Sequence, residues 1–363
     1  MLINKTKFIS SDYPITLKRF GLASLILSNF LTPVASANVV GSDTQNFNPT
    51  TSGLDFVTVQ SSETLNPGHF NFGLFINQAV NSLPYFDDTE QGRTTYTDSV
   101  VGADLNIGIG LLPNLDIGLS LPQLLHQEVE SDGFRGQFSN NGNTEIRVNS
   151  KFRFYGNDSG GAAFIASGNQ NRIENNPFVG IDAGPTYNLE LALDTTVSNF
   201  ALALNVGHRW RQPGTKIDEA SPIEPLGDQY LASAAASFLI PYSDTKLIAE
   251  IFSSIPSEDE TEASERLASS AETLFGIKHA YNQNVALHLG TGTELVNGRS
   301  SPDWRVYAGL NVSTGPKPKP RLIAPEPTPE SIEDPFSGPA LKEEKIVIHD
   351  ILFEFDSAKV SES

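Results

Sequence analysis

Between about residues 67 and 313 apolar residues recur at every second position, with Gly or polar residues between them. That period of two marks a strand whose two faces meet different surroundings. In one run Val101, Ala103, Leu105, Ile107 and Ile109 alternate with Gly102, Asp104, Asn106, Gly108 and Gly110. Between Asn143 and Tyr155 the contrast is sharper: Ile146, Val148, Phe152 and Phe154 share one face, and Glu145, Arg147, Asn149, Lys151 and Arg153 the other. Twelve such runs lie near residues 69–80, 98–111, 115–124, 143–155, 161–168, 178–191, 198–211, 229–240, 245–254, 268–280, 285–295 and 302–313.

Alternation alone fits a soluble sandwich as well as a barrel, and the links between runs separate the two. Those at Pro113-Asn114, Asn157-Asp158, Thr195-Thr196, Tyr242–Asp244 and Asn282–Asn284 are tight. Those near 81–97, 125–142, 212–228 and 255–267 are long and polar. Short turns at one end and long loops at the other are the layout of an outer-membrane barrel. Aromatic residues near run ends fit interfacial girdles: Phe70, Phe72, Tyr96, Phe152, Phe154, Tyr155, Phe178, Phe200, Trp210, Tyr230, Phe238 and Trp304. The expected fold class is all-β, a transmembrane antiparallel up-and-down β-barrel of about twelve strands, with a periplasmic β-sandwich as the alternative.

The ends of the chain read differently. Lys5, Lys7, Lys18 and Arg19 precede an apolar stretch from Phe20 to Leu31, followed by Ala35-Ser36-Ala37. This order predicts a secretory signal peptide over residues 1–37, cleaved after Ala37; the apolar core is too short to span a bilayer. Residues 38–66 are expected to be an N-terminal periplasmic segment and residues 67–314 the barrel. Gly315 to Ala340 holds 8 of the 23 prolines, so residues 315–344 are expected to form an extended, semi-rigid linker.

Beyond the linker Ile351-Leu352-Phe353-Glu354-Phe355-Asp356-Ser357-Ala358 resembles the opening of the OmpA-like peptidoglycan-binding domain, where a strand of the form I-x-F-x-F-D-S-A leads into the first helix. In the OmpA family that α/β domain follows an N-terminal barrel through a Pro-rich linker, the order seen here. The resemblance implies a structural envelope anchor in the outer membrane of a Gram-negative bacterium, with linker and C-terminus in the periplasm. The family's peptidoglycan-contacting residues lie downstream of this strand. Residues 345–363 are therefore expected to be the first strand of an incomplete domain, and peptidoglycan is a partner only if the rest were present. The other implied partners are outer-membrane lipid and, during biogenesis, the barrel-assembly machinery.

Composition narrows the function further. There are 24 Lys+Arg against 43 Asp+Glu and no cysteine. Loss of the signal peptide would leave 20 basic and 42 acidic residues, a charge of −22. Such a chain has no basic surface for nucleic acid, and no thiolate is available for a metal site or nucleophile. None of the six histidines falls in an H-x-x-x-H pair and no G-x-S-x-G elbow occurs, so neither an enzyme nor a cofactor is expected. Glu258-Asp259-Glu260-Thr261-Glu262 reads as a solvated external loop, with calcium as the competing reading. The informative chemistry is charge inside strands, since an Arg or Lys facing lipid at midplane costs roughly 2–4 kcal/mol. Asp104, Asp116, Glu145, Arg147, Lys151, Arg153, Arg209, Glu250, Glu272, Lys278 and Arg305 are thus candidates to line the lumen, with Glu294 and Tyr307. Mixed signs there either line a narrow solute path, giving a small-solute porin, or pair across the lumen and close it.

Overall fold

The computed structural model describes residues 45–82, 98–129, 142–157, 159–173, 176, 178–216, 224–258, 269–296, 298 and 300–314, with the backbone alone of 352–353 and 360–361. The signal peptide with Ala37, the linker and most of the Ile351–Ala358 motif lie outside the described residues, as do Tyr96 and the acidic run beyond Glu258. The chain divides into two units, residues 1–323 and 324–363. In the second, Leu352-Phe353 (β14) pairs antiparallel with Val360-Ser361 (β15).

The first unit is a closed antiparallel barrel of twelve long strands. They are β1 Phe70–Val80, β2 Asp98–Leu112, β3 Leu115–Val129, β5 Glu145–Asn157, β6 Gly160–Asn171 and β7 Thr186–Val197, then β8 Phe200–Trp210, β9 Gln229–Leu239, β10 Thr245–Pro256, β11 Ser270–Ala280, β12 Val285–Val296 and β13 Trp304–Ser313. Each pairs with its neighbours in sequence, and β13 returns to β1, so the long strands leave no edge exposed. Two residues, Gly142-Asn143 (β4), carry the line of β5 past Thr144 against Gln123-Leu124. The interruption has a cause in β3: Pro122 has no N–H to donate, and its carbonyl accepts instead from Thr144 N at 3.0 Å and Asn143 Nδ2 at 3.1 Å.

One expected strand is misplaced. Residues 178–191 form a strand only from Thr186, which runs on to Val197, and the tight turn expected at Thr195-Thr196 falls at Ser198-Asn199. Gly180 at φ 84° and Asp182 at φ 58° turn the chain out of the extended region. Phe178, expected in a girdle, is consequently buried, with its carbonyl accepting from Leu226 N.

Side chains sort by face. Leu189 and Leu193 on β7, Leu202, Leu204 and Val206 on β8 and Ile251 on β10 project outward and are exposed. Phe70, Phe154, Tyr155, Phe200, Tyr242 and Tyr281 ring the short-turn end, and Tyr187, Trp210, Tyr230 and Trp304 the opposite end. Polar side chains on the outer face find backbone partners: Thr291 Oγ1 donates to the Arg305 carbonyl at 2.8 Å and Thr293 Oγ1 to that of Asp303 at 2.7 Å.

The core of this molecule sits inside the barrel. Residues 45–66, expected on the periplasmic side, run through the lumen instead. Phe47, Phe56, Val57 and Val59 are buried against inward-facing Phe75, Ala201, Ala203, Ala235, Ile248, Leu274 and Tyr307. The wall makes room with small residues where the segment presses on it. A Cβ on Gly108 would lie 2.5 Å from the Thr51 carbonyl oxygen, and one on Gly110 would stand 2.1 Å from that of Asn66.

Candidate functional site

The lumen is built from one face of each strand. Register puts inward residues of adjacent strands side by side, as in the row Asn149, Ser167, Asn188, Arg209, Gln229 across β5 to β9. Alternation then repeats this polar surface along each strand.

Residues 45–66 cross this space in two parts. The first descends from the long-loop half: Gln45 Oε1 accepts from Arg305 Nη1 at 3.3 Å, and Phe47 packs on Tyr307, with ring centroids 5.2 Å apart. At Gly53, φ 65°, the chain turns. Residues 51–66 then pass round the wall near the short-turn end as a floor, held by its main chain. Val57 N donates to Glu250 Oε1 at 2.6 Å and Thr58 N to Glu250 Oε2 at 2.9 Å. Ser62 N donates to Asp194 Oδ1 at 2.9 Å and Leu65 N to Asp116 Oδ2 at 3.0 Å. Asn205 takes both groups of one residue, accepting from Gln60 N and donating to Gln60 O, each at 2.8 Å. In return the wall donates to carbonyls: Asn71 Nδ2 to Thr51 at 2.9 Å, Lys278 Nζ to Gly53 at 2.7 Å, and Lys151 Nζ to Ser61 at 3.2 Å. An irregular segment inside a barrel has no ladder to satisfy its backbone, so wall side chains must do so.

Most of the lumen candidates fall into two groups. Asp116, Lys151, Glu250 and Lys278 hold the floor. Arg147 and Arg305 sit in charge clusters in the other half. Arg147 contacts Asp104 at 3.3 Å and Glu145 at 2.8 Å, and donates to Asn48 Oδ1 at 2.7 Å. Arg305 pairs with Glu272 at 3.2 Å, both without solvent exposure, and donates to Asn77 Oδ1 at 2.6 Å. Arg209, half-buried, donates to Asn188 Oδ1 at 3.0 Å and Gln229 Oε1 at 3.2 Å. Arg153 lies apart at the β5–β6 turn, donating to the Asn157 and Gly160 carbonyls. Glu294 faces Glu272 across the β11–β12 ladder. Tyr307 lies over Gly276 and Gly290, where a Cβ would stand 2.0 Å from its hydroxyl oxygen and 2.6 Å from its ring.

The sequence reasoning missed the floor and three of its holders, Asn71, Asp194 and Asn205. A signal for it was present: inward positions 102, 108, 110 and 118 are all Gly, a lumen face too small to fill its own space.

Above the floor remains a cavity of about 160 Å³ between the segment and the inner faces of β3 and β5–β10, lined by residues including Asn48, Gln60, Asn149, Asn169, Asn188 and Arg209. That is many times the roughly 10–15 Å³ that admits a single water. Among the described residues no group of three His, Asp or Glu side chains is placed to hold a metal ion.

A closed barrel with an apolar exterior, aromatic end rings and a charged, polar interior is the outer-membrane type of β-barrel. A solved structure agrees on the fold. The COG4313 outer membrane channel from Pseudomonas putida F1 is similar at TM-score 0.53 and 11% identity, covering 71% of this chain and 100% of that one. The KdgM porin in complex with disordered oligogalacturonate matches at TM-score 0.42 and 7% identity, over 68% and 99% of the two chains. The NanC porin matches at 0.42 and 8%, over 67% and 99%. No protein-family model matches the chain, and no curated protein sequence does.

Proposed function

We propose that this chain is an outer-membrane channel for small solutes, closed at rest by its own N-terminal segment. The observation that carries the reading is a polar cavity ending on a floor of residues 51–66. The floor is a single strand of chain clasped by side chains and woven into no sheet, so it can leave without breaking a ladder. A barrel serving only as an anchor has no need of an interior built in two parts. The secretory signal predicted over residues 1–37 and the apolar belt support an outer-membrane location, with the short turns and the C-terminus on the periplasmic side. The envelope-anchor role implied by the OmpA-like resemblance would rest on the C-terminal unit, and the channel reading rests on the barrel alone.

Planar-bilayer recording tests it. The refolded wild type should show brief, rare openings, and a variant lacking residues 45–66 should show long-lived steps of larger conductance. Equal, silent traces from both proteins, each shown to be folded by heat-modifiable migration, would overturn the reading.

A further inference from the structure

The cavity above the floor has a chemistry of its own. Three charged groups line it, Arg147, Glu190 and Arg209, and the two arginines are held by neighbours. Arg147 is tied to Asp104, Glu145 and Asn48. Arg209 is held by Asn188 and Gln229, and Glu190 lies two positions along β7 from its ladder partner Asn188. A permeating ion of either sign entering here meets charges of both signs and gains little. The rest of the lining is mostly amide and hydroxyl, including Asn149, Asn169, Asn188, Asn205 and Ser233. An amide offers two donors and a carbonyl acceptor, and a hydroxyl offers both roles. Such a surface complements groups that donate and accept at once. One acceptor is left over: the Asn169 side-chain oxygen is buried with no hydrogen-bond partner, and a buried polar atom in that state calls for a ligand or water. Phe252 and Ile165 add apolar surface between the polar rows. That mixture suits a ring or chain of C–H groups bearing hydroxyls.

We infer that the cavity is a binding site for a small neutral polyhydroxylated solute, a monosaccharide or polyol, with the Asn169 side chain turning so that its oxygen accepts from one of the solute's hydroxyls. The inference rests on the channel reading for the solute's route and names the solute class. A cavity of about 160 Å³ accommodates a hexose.

Equilibrium dialysis of radiolabelled glucose and sorbitol against the folded, full-chain wild type tests it, with glutamate, lysine and chloride as competitors. Saturable binding of glucose or sorbitol is expected, unaffected by the three charged competitors. The double variant Asn169→Leu/Asn188→Leu should bind at least tenfold more weakly while keeping heat-modifiable migration. Failure of both sugars to bind the wild type, or displacement of glucose by glutamate or lysine, would overturn the solute class. Should the double variant not fold, the wild-type competition still decides. Conductance plays no part in this assay. A barrel that binds glucose and never conducts therefore overturns the channel reading alone, and one that conducts without binding overturns the solute class alone.

Discussion

Hydrogens rather than methyl groups on a few Cα atoms let the floor sit where it does. Gly108 faces the lumen, and a Cβ there would meet main chain, the Thr51 carbonyl at 2.5 Å, which cannot rotate aside. At Gly168 a Cβ would find only the Tyr187 ring, at 3.6 Å, an ordinary contact. Gly108→Val is accordingly expected to lift the start of the floor and raise open-channel probability in bilayers, with Gly168→Ala silent in the same recording. Equal behaviour of the two would mean the floor is not seated on this wall. Glu250 acts on the same segment through acceptance. It takes the N–H groups of both Val57 and Thr58 and the Thr58 hydroxyl at 2.5 Å. Hydrogen bonds to a charged group contribute about 1.5–3 kcal/mol each. Burying each of Phe47, Phe56, Val57 and Val59 contributes a similar amount, about 1.5–3 kcal/mol. Glu250→Ala should therefore loosen the floor locally without expelling it. Amide exchange at Val57 and Thr58 is predicted to quicken on the order of tenfold or more, with Gln smaller in effect because its carbonyl keeps one acceptor. Unchanged exchange at both amides would rule Glu250 out as the clasp.

Strands are the elements the sequence made legible, because a barrel wall has two solvents and each imposes itself on alternate residues. Leu204 and Asn205 are neighbours in the middle of β8; the first is exposed on the outer face and the second is 1% exposed inside. The prediction at this scale is that Leu204→Arg, placed at the belt's mid-height, costs about 2–4 kcal/mol. Urea titration of the protein folded into lipid vesicles would read it as a lowered midpoint, and an unmoved midpoint would mean that this face does not meet lipid. Where two periods overlap, the pattern misleads. Phe178, Val179 and Ile181 continue the apolar rhythm of β7, yet Gly180 and Asp182 sit at positive φ and turn the chain there, leaving Phe178 and Val179 buried and Ile181 bridged to Thr215. The floor was illegible for a deeper reason. Its backbone is satisfied by Glu250, Asp194, Asn205 and Asp116, residues 50 or more positions away along the chain, so it needs no local period. Its apolar residues Phe56, Val57 and Val59 face a curved wall from within. The charged positions became candidates for the lumen because lipid disfavours them on the other face. Which of them hold the floor, like Glu250, and which pair with one another, like Arg305 with Glu272, depends on three-dimensional height along the barrel.

At the scale of the whole molecule the question is whether solute passes by displacing the floor or by slipping round it. The barrel wall is one continuous hydrogen-bonded ladder and resists deformation, whereas the floor is joined to it mainly by side-chain clasps and one apolar cluster. Motion should thus concentrate in residues 51–66, and a covalent tie between floor and wall should stop conduction. The chain has no cysteine, so an introduced pair can bridge only with itself. Thr51 and Asn149 are the pair to try, since their side chains already meet across the floor and wall, with oxygens 3.1 Å apart and the first donating to the second. The variant Thr51→Cys/Asn149→Cys is expected to conduct like wild type when reduced and to fall silent when oxidised, with conduction restored by reductant. Mass measurement would establish that the intramolecular disulfide has formed. If the oxidised, cross-linked barrel conducts undiminished, the floor is a fixed lining and the path runs beside it, through the cavity flanked by Asn169 and Arg209. Loss of conduction in the oxidised form alone would place the gate at the floor's first contact with the wall. A second tie between residues 58 and 250 would then tell whether the floor lifts from that end or swings as one piece.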